Sequence, residues 1–412
     1  MTKAKSIRGM HDLIGKDFLS QKKIIKLFES AALNFNFKPI ETPIMEFNEV
    51  FSRTLGSSSD VVMKEMYTFI DRSKDQLTLR PEGTAGIARA IISNGLTQNL
   101  PLKYFYYGPM FRYERPQKGR LRQFSQVGVE VYSKPGIEKD FEVIYLAANF
   151  LKNLKILDNL ILKINNLGNL EDRNNYKKIL KEYYLQHKGK LSKDSIIRLE
   201  KNPLRILDSK SAEDIEINKN VPNISDVLSE QSKKKFINLK NMLKDFNILY
   251  EDDPFLVRGL DYYSNTIFEF TLKNDTKFAI LAGGNYDNLV TELGGPKLSG
   301  TGWAAGIERL TSLVNFKNKK SKVILIIPMQ SDFLSTAYKI REQFLYSNYS
   351  TEIHIDKNLK KSLKYANKIE ANYAIIVGEE EINKEVYTVK NLSTGLQNSI
   401  EKKFILEFFK ND

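Results

Sequence analysis

The segment FSQVGVEVY sets Phe124, Gln126, Gly128 and Glu130 at alternate positions from Val127, Val129 and Val131. Side chains of an extended strand alternate between faces, so the valines share a face fit for a core and the other four share the opposite one. An aromatic plane, an amide, a gap at glycine and a carboxylate make a poor core but a workable floor for a polar ligand; a solvent-exposed sheet face is the alternative. Just upstream, FRYERPQKGRLRQF gathers Arg112, Arg115, Arg120 and Arg122 on one hairpin. Guanidinium forks there can bind phosphate oxygens bidentately, and without an anion they repel one another; a solvated basic loop is the other reading.

Three further segments carry polar groups at element ends. LTLRPEGTAGIARA reads as a strand, a turn and a helix start, so Glu82 and Thr84 either cap that helix or meet a ligand. LVRGLDYYSNTIFEF puts Arg258, Asp261, Tyr262 and Tyr263 immediately before a strand, and GTGWAAGIERL puts Arg309 on a helix. The glycines of the latter are spaced GxGxxxG without a clear βαβ unit, which is not the dinucleotide fingerprint, and no GxxxxGK[ST] loop occurs. Any ATP must therefore sit on a different scaffold.

The elements that position these residues follow from hydrophobic period. Gln21 to Phe35 reads as a helix, followed by an extended stretch from Ile40 to Glu46. Tyr104 to Tyr107 and Phe124 to Tyr132 read as an antiparallel hairpin whose tip runs through Arg115 to Arg122. From about Glu171 to Ile248 the pattern turns helical and Lys-rich, with NPLRILDSK as a turn inside it, and reads as an inserted helical module. Strands resume at Thr266 to Leu272 and Lys277 to Ala282, followed by a helix with Ile307, Leu310 and Val314 on one face. Beyond a boundary near Phe316 to Lys322, VILIIP, TEIHI, YAIIVG and VYTVK alternate with helices, which predicts a separate α/β domain with a mainly parallel sheet.

Composition bounds the chemistry. The 412 residues exceed one compact core, and a net charge of +13 suits a polyanionic partner, although free use of lysine would give the same total. Hydrophobic residues at 42% are enough to bury cores, which excludes a disordered chain. Cysteine is absent and the only histidines are His11, His187 and His354, so disulfides, thiolate catalysis, thiolate zinc sites and a serine-histidine relay are set aside. The start MTKAKSIRGMHDL lacks the apolar stretch of a secretory signal, and no apolar run approaches the ~20 residues of a membrane span; the expectation is a soluble cytoplasmic protein without a membrane partner.

IRGMHD, KEMYTF, LTLRPEGTAG, GPMFRYERPQKGRLRQF, NPLRILDSK, LVRGLDYY, AGGNYDNLV and AAGIERL occur in an order that resembles the motif set of class II aminoacyl-tRNA synthetases, and within that class the bacterial histidyl-tRNA synthetase family. The match spans nearly the whole chain. A lone FRxE or GxERL is weak, whereas LRPEGT, RPQKGR and LVRGLDYY together are highly specific.

The resemblance implies an α+β catalytic domain over residues 1–317, with an antiparallel sheet flanked by helices and a helical insertion at about 171–248, and a C-terminal α/β anticodon-binding domain over 322–412. It implies an ATP-dependent ligase that converts L-histidine to histidyl-adenylate and transfers it to the 3′ end of tRNA(His), working as a homodimer with Mg²⁺ on the triphosphate and no other metal. Histidine would be held by Glu82, Thr84, Gln126, Glu130, Tyr262 and Tyr263. ATP would meet Arg112, Glu114, Phe124, Arg258 and Arg309, with Arg258 and Arg112 as the catalytic pair on the α-phosphate. Arg115, Gln117 and Arg120 would approach the tRNA. The rivals are a histidine-binding regulatory paralogue of ATP phosphoribosyltransferase, a class II synthetase for proline or threonine, and a basic RNA-binding protein without catalysis.

Overall fold

A computed structural model describes residues 3–56, 59–117, 119–134, 136–316 and 322–410. The chain divides into two compact units, Met1–Asn315 and Phe316–Asp412. Residues 317–321 of the boundary segment and Lys118 at the hairpin tip lie outside the described residues.

The first unit is built on eleven strands: β1 (Lys38–Pro39), β2 (Met45–Phe47), β3 (Tyr67–Ile70), β4 (Gln76–Leu79), β5 (Leu102–Phe111), β6 (Gln123–Ser133), β7 (Leu160–Asn166), β8 (Tyr250–Asp252), β9 (Ser264–Leu272), β10 (Asp275–Tyr286) and β11 (Ser299–Gly306). Eight of them form one sheet in the order β1-β5-β6-β11-β10-β9-β7-β8. Its interior ladders are antiparallel, and only the short edge strands β1 and β8 pair in parallel. β2, β4 and β3 make a separate small sheet. The extended stretch expected from Ile40 to Glu46 is therefore split, its two ends serving different sheets. Pro39 and Pro43 supply no backbone N–H, so neither sheet can run a continuous ladder through this segment.

One face of the large sheet is dry. Val127, Val129 and Val131 are buried there under helices Lys16–Asn34, Ile137–Asn153 and Ile307–Leu313. Phe28 meets Phe105, Phe150 and Trp303 edge-on at ring distances of 5.8, 5.4 and 5.7 Å. The indole N–H of Trp303 is bonded to the Val143 carbonyl at 2.9 Å, so this large ring is buried without stranding a donor.

The stretch expected as an inserted module is helical at Leu170–Gln186, Lys193–Lys201, Ala212–Asn218 and Glu230–Asp245. Serine-carboxylate hubs fasten its turns. Asp214 accepts from Ser192, Ser195 and Ser209, and Asp172 accepts from Ser229 and Ser232. Glu230–Asp245 returns to the sheet and packs on Ile137–Asn153, with Phe246 on Phe141 and Tyr145, so the last helix adds to the dry-side layer.

The second unit holds β12 (Lys322–Pro328), β13 (Tyr349–Ile353), β14 (Tyr373–Val377), β15 (Val386–Asn391) and β16 (Gln397–Glu401), ordered β13-β12-β14-β15-β16. Ile324 and Ile326 point into one core and Leu325 and Ile327 into the other, the double burial that VILIIP suggested. The expectation of a mainly parallel sheet is corrected. β12 is parallel to β13 and β14, but β14-β15 and β15-β16 are antiparallel. The turn Asn391 to Gly395 closes a hairpin through the Asn391 side chain, and a hairpin requires antiparallel strands.

Candidate active site

The wet face of the large sheet carries a cavity lined by Glu82, Thr84, Arg112, Glu114, Arg120, Phe124, Gln126, Arg258, Tyr262, Tyr263 and Arg309. These residues come from five stretches of chain: the turn into helix Thr84–Ser93, the chain leaving β5, the hairpin tip running into β6, the irregular segment before β9, and helix Ile307–Leu313. Arg112 directly follows β5 and Phe124 lies at the start of β6, and the Arg112 guanidinium lies 5.4 Å from the Phe124 ring centroid. Arg112 Nε also donates to the Pro81 carbonyl at 2.9 Å, which ties the hairpin to the turn before helix Thr84–Ser93.

Glu82 both caps and lines. Its carboxylate accepts from the Thr84 and Ala85 backbone N–H groups at 2.7 and 2.8 Å, satisfying two donors that a helix start leaves without partners. Burial raises its pKa, and those backbone bonds work against the rise. Thr84 Oγ1 donates to Glu130 at 2.6 Å. Tyr262 and Tyr263 are nearly buried, with ring centroids 4.6 Å apart.

Alternation on β6 placed Gly128 and Glu130 on the floor, and the structure corrects what fills them. The gap above Gly128 is occupied by the ring of Tyr106, its register partner on β5: a Cβ at 128 would lie 2.4 Å from that ring. Glu130 lies beneath the cavity, fully buried, bonded to Thr84 and to the hydroxyl of Tyr286. It does not line the cavity because Tyr106 and Tyr286 pack around it, while Gly302 across the ladder leaves room for its carboxylate. Burial, foremost, lifts its pKa to about 8.

Cations gather around the same cavity. Arg258 Nη1 pairs with Glu269 at 3.1 Å and its guanidinium sits 5.7 Å from the Tyr263 ring. Arg309 donates to the Ala279 and Gly119 carbonyls at 2.7 and 3.0 Å, and burial lowers its pKa. Arg120 turns inward from the hairpin tip, with Nε 3.3 Å from Glu114 and its guanidinium 5.6 Å from the Phe278 ring. Gln117 lines a neighbouring cleft instead, and Arg115 is exposed. Four guanidiniums facing one cavity suit a polyphosphate, since such a cluster is stabilised by an anion that accepts bidentate bonds.

Tyr106, Tyr286 and Glu269 were missed by reasoning from sequence. Tyr286 stands inside AGGNYDNLV, a motif noted without assigning its tyrosine, whereas Tyr106 and Glu269 lie in strands whose patterning marks only burial.

Among known proteins, the family model "Histidyl-tRNA synthetase" matches residues 9–310, and the model "Anticodon binding domain" matches 323–412. The chain is 44% identical to a histidine–tRNA ligase of Rhodospirillum rubrum, over 99% of both chains. It is 41% identical to that of Ehrlichia canis, over 100% of this chain and 99% of the relative. A solved apo histidyl-tRNA synthetase of S. aureus superposes with a TM-score of 0.82 at 29% identity, covering 99% of this chain and 100% of the other. With motif order, cavity composition and full-length similarity in agreement, the chain belongs to the histidyl-tRNA synthetase family.

Proposed function

We propose that the cavity activates L-histidine with ATP and that the chain passes the histidyl group to the 3′ end of tRNA(His), with the residues of the cavity in distinct roles. The observation that carries this reading is the composition of the cavity: Arg112, Arg120, Arg258 and Arg309 line it together with Glu82, Gln126, Tyr262 and Tyr263. A substrate with a cationic amino group and an imidazole that donates hydrogen bonds suits the second group, with Glu82 and Thr84 beside the ammonium, Glu130 acting from beneath through Thr84, and Gln126, Tyr262 and Tyr263 toward the ring.

Adenine stacks on Phe124 with Glu114 at its polar edge, and Arg309 meets the γ-phosphate. A carboxylate oxygen of histidine attacks the α-phosphorus, the bond to the β-phosphate oxygen breaks, and diphosphate leaves. Arg112 and Arg258 face the charge that grows on the α-phosphoryl oxygens. A ribose hydroxyl of the terminal tRNA nucleotide then attacks the histidyl carbonyl and AMP departs, so no protein nucleophile is required. Mg²⁺ fits as a companion of the triphosphate that neutralises phosphate charge: no cage of three acidic or histidine side chains occurs among the described residues, and such an ion takes only one or two carboxylates. Glu82, Glu114 and Glu308 are the carboxylates that line the cavity; Glu82 and Glu308 accept from backbone N–H groups, and Glu114 is the one that would share it.

For the tRNA, exposed Arg115 and Gln117 stand outside the cavity at the hairpin tip, while Arg120 bridges tip and cavity. A homodimer is favoured by the small sheet, which exposes Met45 and Phe47 on β2 and Phe69 and Ile70 on β3 beside exposed Ile44. No helix among the described residues is long and apolar enough to cross a membrane, and we place the reaction in the cytoplasm, where its tRNA substrate is made. The test is charging of tRNA(His) with labelled histidine. Acceptance of histidine but not of proline or threonine supports the reading, and charging with either of those instead would overturn it.

A further inference from the structure

Residues 253–263, between β8 and β9, form neither strand nor helix, yet they carry Arg258. Such a segment needs outside support to hold a guanidinium in place. The support comes from the helical stretch, through the 3₁₀ turn Pro203–Ile206 that follows helix Lys193–Lys201. Arg205, only 6% exposed, donates from Nη1 to the backbone carbonyl of Arg258 at 2.7 Å. Its own turn is braced in return, because Arg198 Nη1 donates to the Arg205 carbonyl at 3.3 Å. Another residue of the same segment, Asp261, is tied from the same side: Asn202 Nδ2 donates to its carboxylate at 3.0 Å, and Arg173 donates to its backbone carbonyl at 3.2 Å. Carboxylates of Asp208 and Asp60, each 4.0 Å from Arg205, balance its buried charge.

We propose that Arg205 is a positioning residue for the activation step, holding the backbone of Arg258 while Glu269 holds its side chain. The grip is at both ends of a flexible arm. A charge-assisted bond to the Arg258 carbonyl sets where the Cα lies, and the Glu269 pair at 3.1 Å sets where the guanidinium points. A cation aimed at developing phosphoryl charge is most effective when it needs no rearrangement during the reaction, so a looser backbone weakens the transition state more than the ground state. The helical stretch thereby has a direct mechanical line to the α-phosphate.

The inference rests on the proposed role of Arg258, and the experiment separates the two. Histidine-dependent exchange of pyrophosphate into ATP is measured on the full chain for R205M, R205K, R258A and R205M/R258A, with thermal melting of each. R205M should lower kcat roughly tenfold to a hundredfold, as displacement of a reacting group by an ångström does, with KM for histidine and ATP within about twofold of the parent. R205K, keeping a charged donor, should recover part of kcat. On the R258A background R205M should add no further loss, because its effect runs through the removed side chain. Equal fold losses in both backgrounds, or a normal kcat in R205M, would overturn the role of Arg205. A normal kcat in R258A would instead overturn the role of Arg258. Should R205M not fold, R205K enters the same cycle, and its smaller loss must likewise vanish on R258A.

Discussion

Glu130 is a fully buried carboxyl bonded to Thr84 and Tyr286. Its pKa stands near 8 in the folded chain against an ordinary 4.5, because burial disfavours the charged form more than Thr84 and Tyr286 restore it. Between those two values the folded protein holds a proton that the unfolded chain has lost. Stability from this group is thus complete below pH 4.5, declines as pH rises and is gone above about 8, with a slope on the order of 1 kcal/mol per pH unit. Glu82, also raised by burial, tilts the same way. Urea denaturation at pH 6 and pH 8 should therefore show a larger drop for the parent than for Glu130→Gln; equal drops would mean that Glu130 is not protonated in the fold. At Arg258 the expected loss is catalytic. Arg258→Ala should slow adenylate formation on the order of a hundredfold or more, the scale of removing a preorganised oxyanion contact, as read by single-turnover quench. That Phe124 and Gln126 line the cavity while Val127, Val129 and Val131 join the core was legible from alternation on FSQVGVEVY, since that period needs no knowledge of neighbours. What fills the space beside Gly128 was not, because Tyr106 arrives from another strand and pairing register is a tertiary property.

At the scale of elements, the β5-β6 hairpin and the turn before helix Thr84–Ser93 act as one frame. Arg112 bonds the Pro81 carbonyl, and Tyr106 is wedged beside both Gly83 and Gly128, where a Cβ would come within 2.3 and 2.4 Å of its ring. Gly128→Ala should force that ring out and destabilise the fold by about 1–3 kcal/mol, the usual range for overpacking, while raising KM for histidine more than KM for ATP. Calorimetry and exchange kinetics would check it, and unchanged melting with unchanged KM would contradict the wedge. The long strands and helices were readable because their periods persist over many residues. The short β2 and β3 and the antiparallel hairpin β15-β16 were not, since strands of three to six residues carry too few alternations to show direction or partner.

For the molecule as a whole, a net charge of +13 over two units with separate cores suits a polyanionic partner. The lysines of helix Leu359–Lys368, Lys360, Lys361, Lys364 and Lys368, belong to the second unit, which matches the anticodon-binding model. A chain ended at residue 316 should keep histidine-dependent adenylate formation within a few-fold and lose most tRNA charging, because the cavity lies wholly within the first unit. Parallel loss of both activities in a folded truncation would contradict that division of labour. The central claim, that Arg112, Arg258, Glu82 and the tyrosine pair build a histidine-activating site, is tested most directly by pyrophosphate exchange with the intact chain. Exchange into ATP should occur with histidine and stay at background with the other nineteen amino acids; folded protein that shows no exchange with histidine would contradict it.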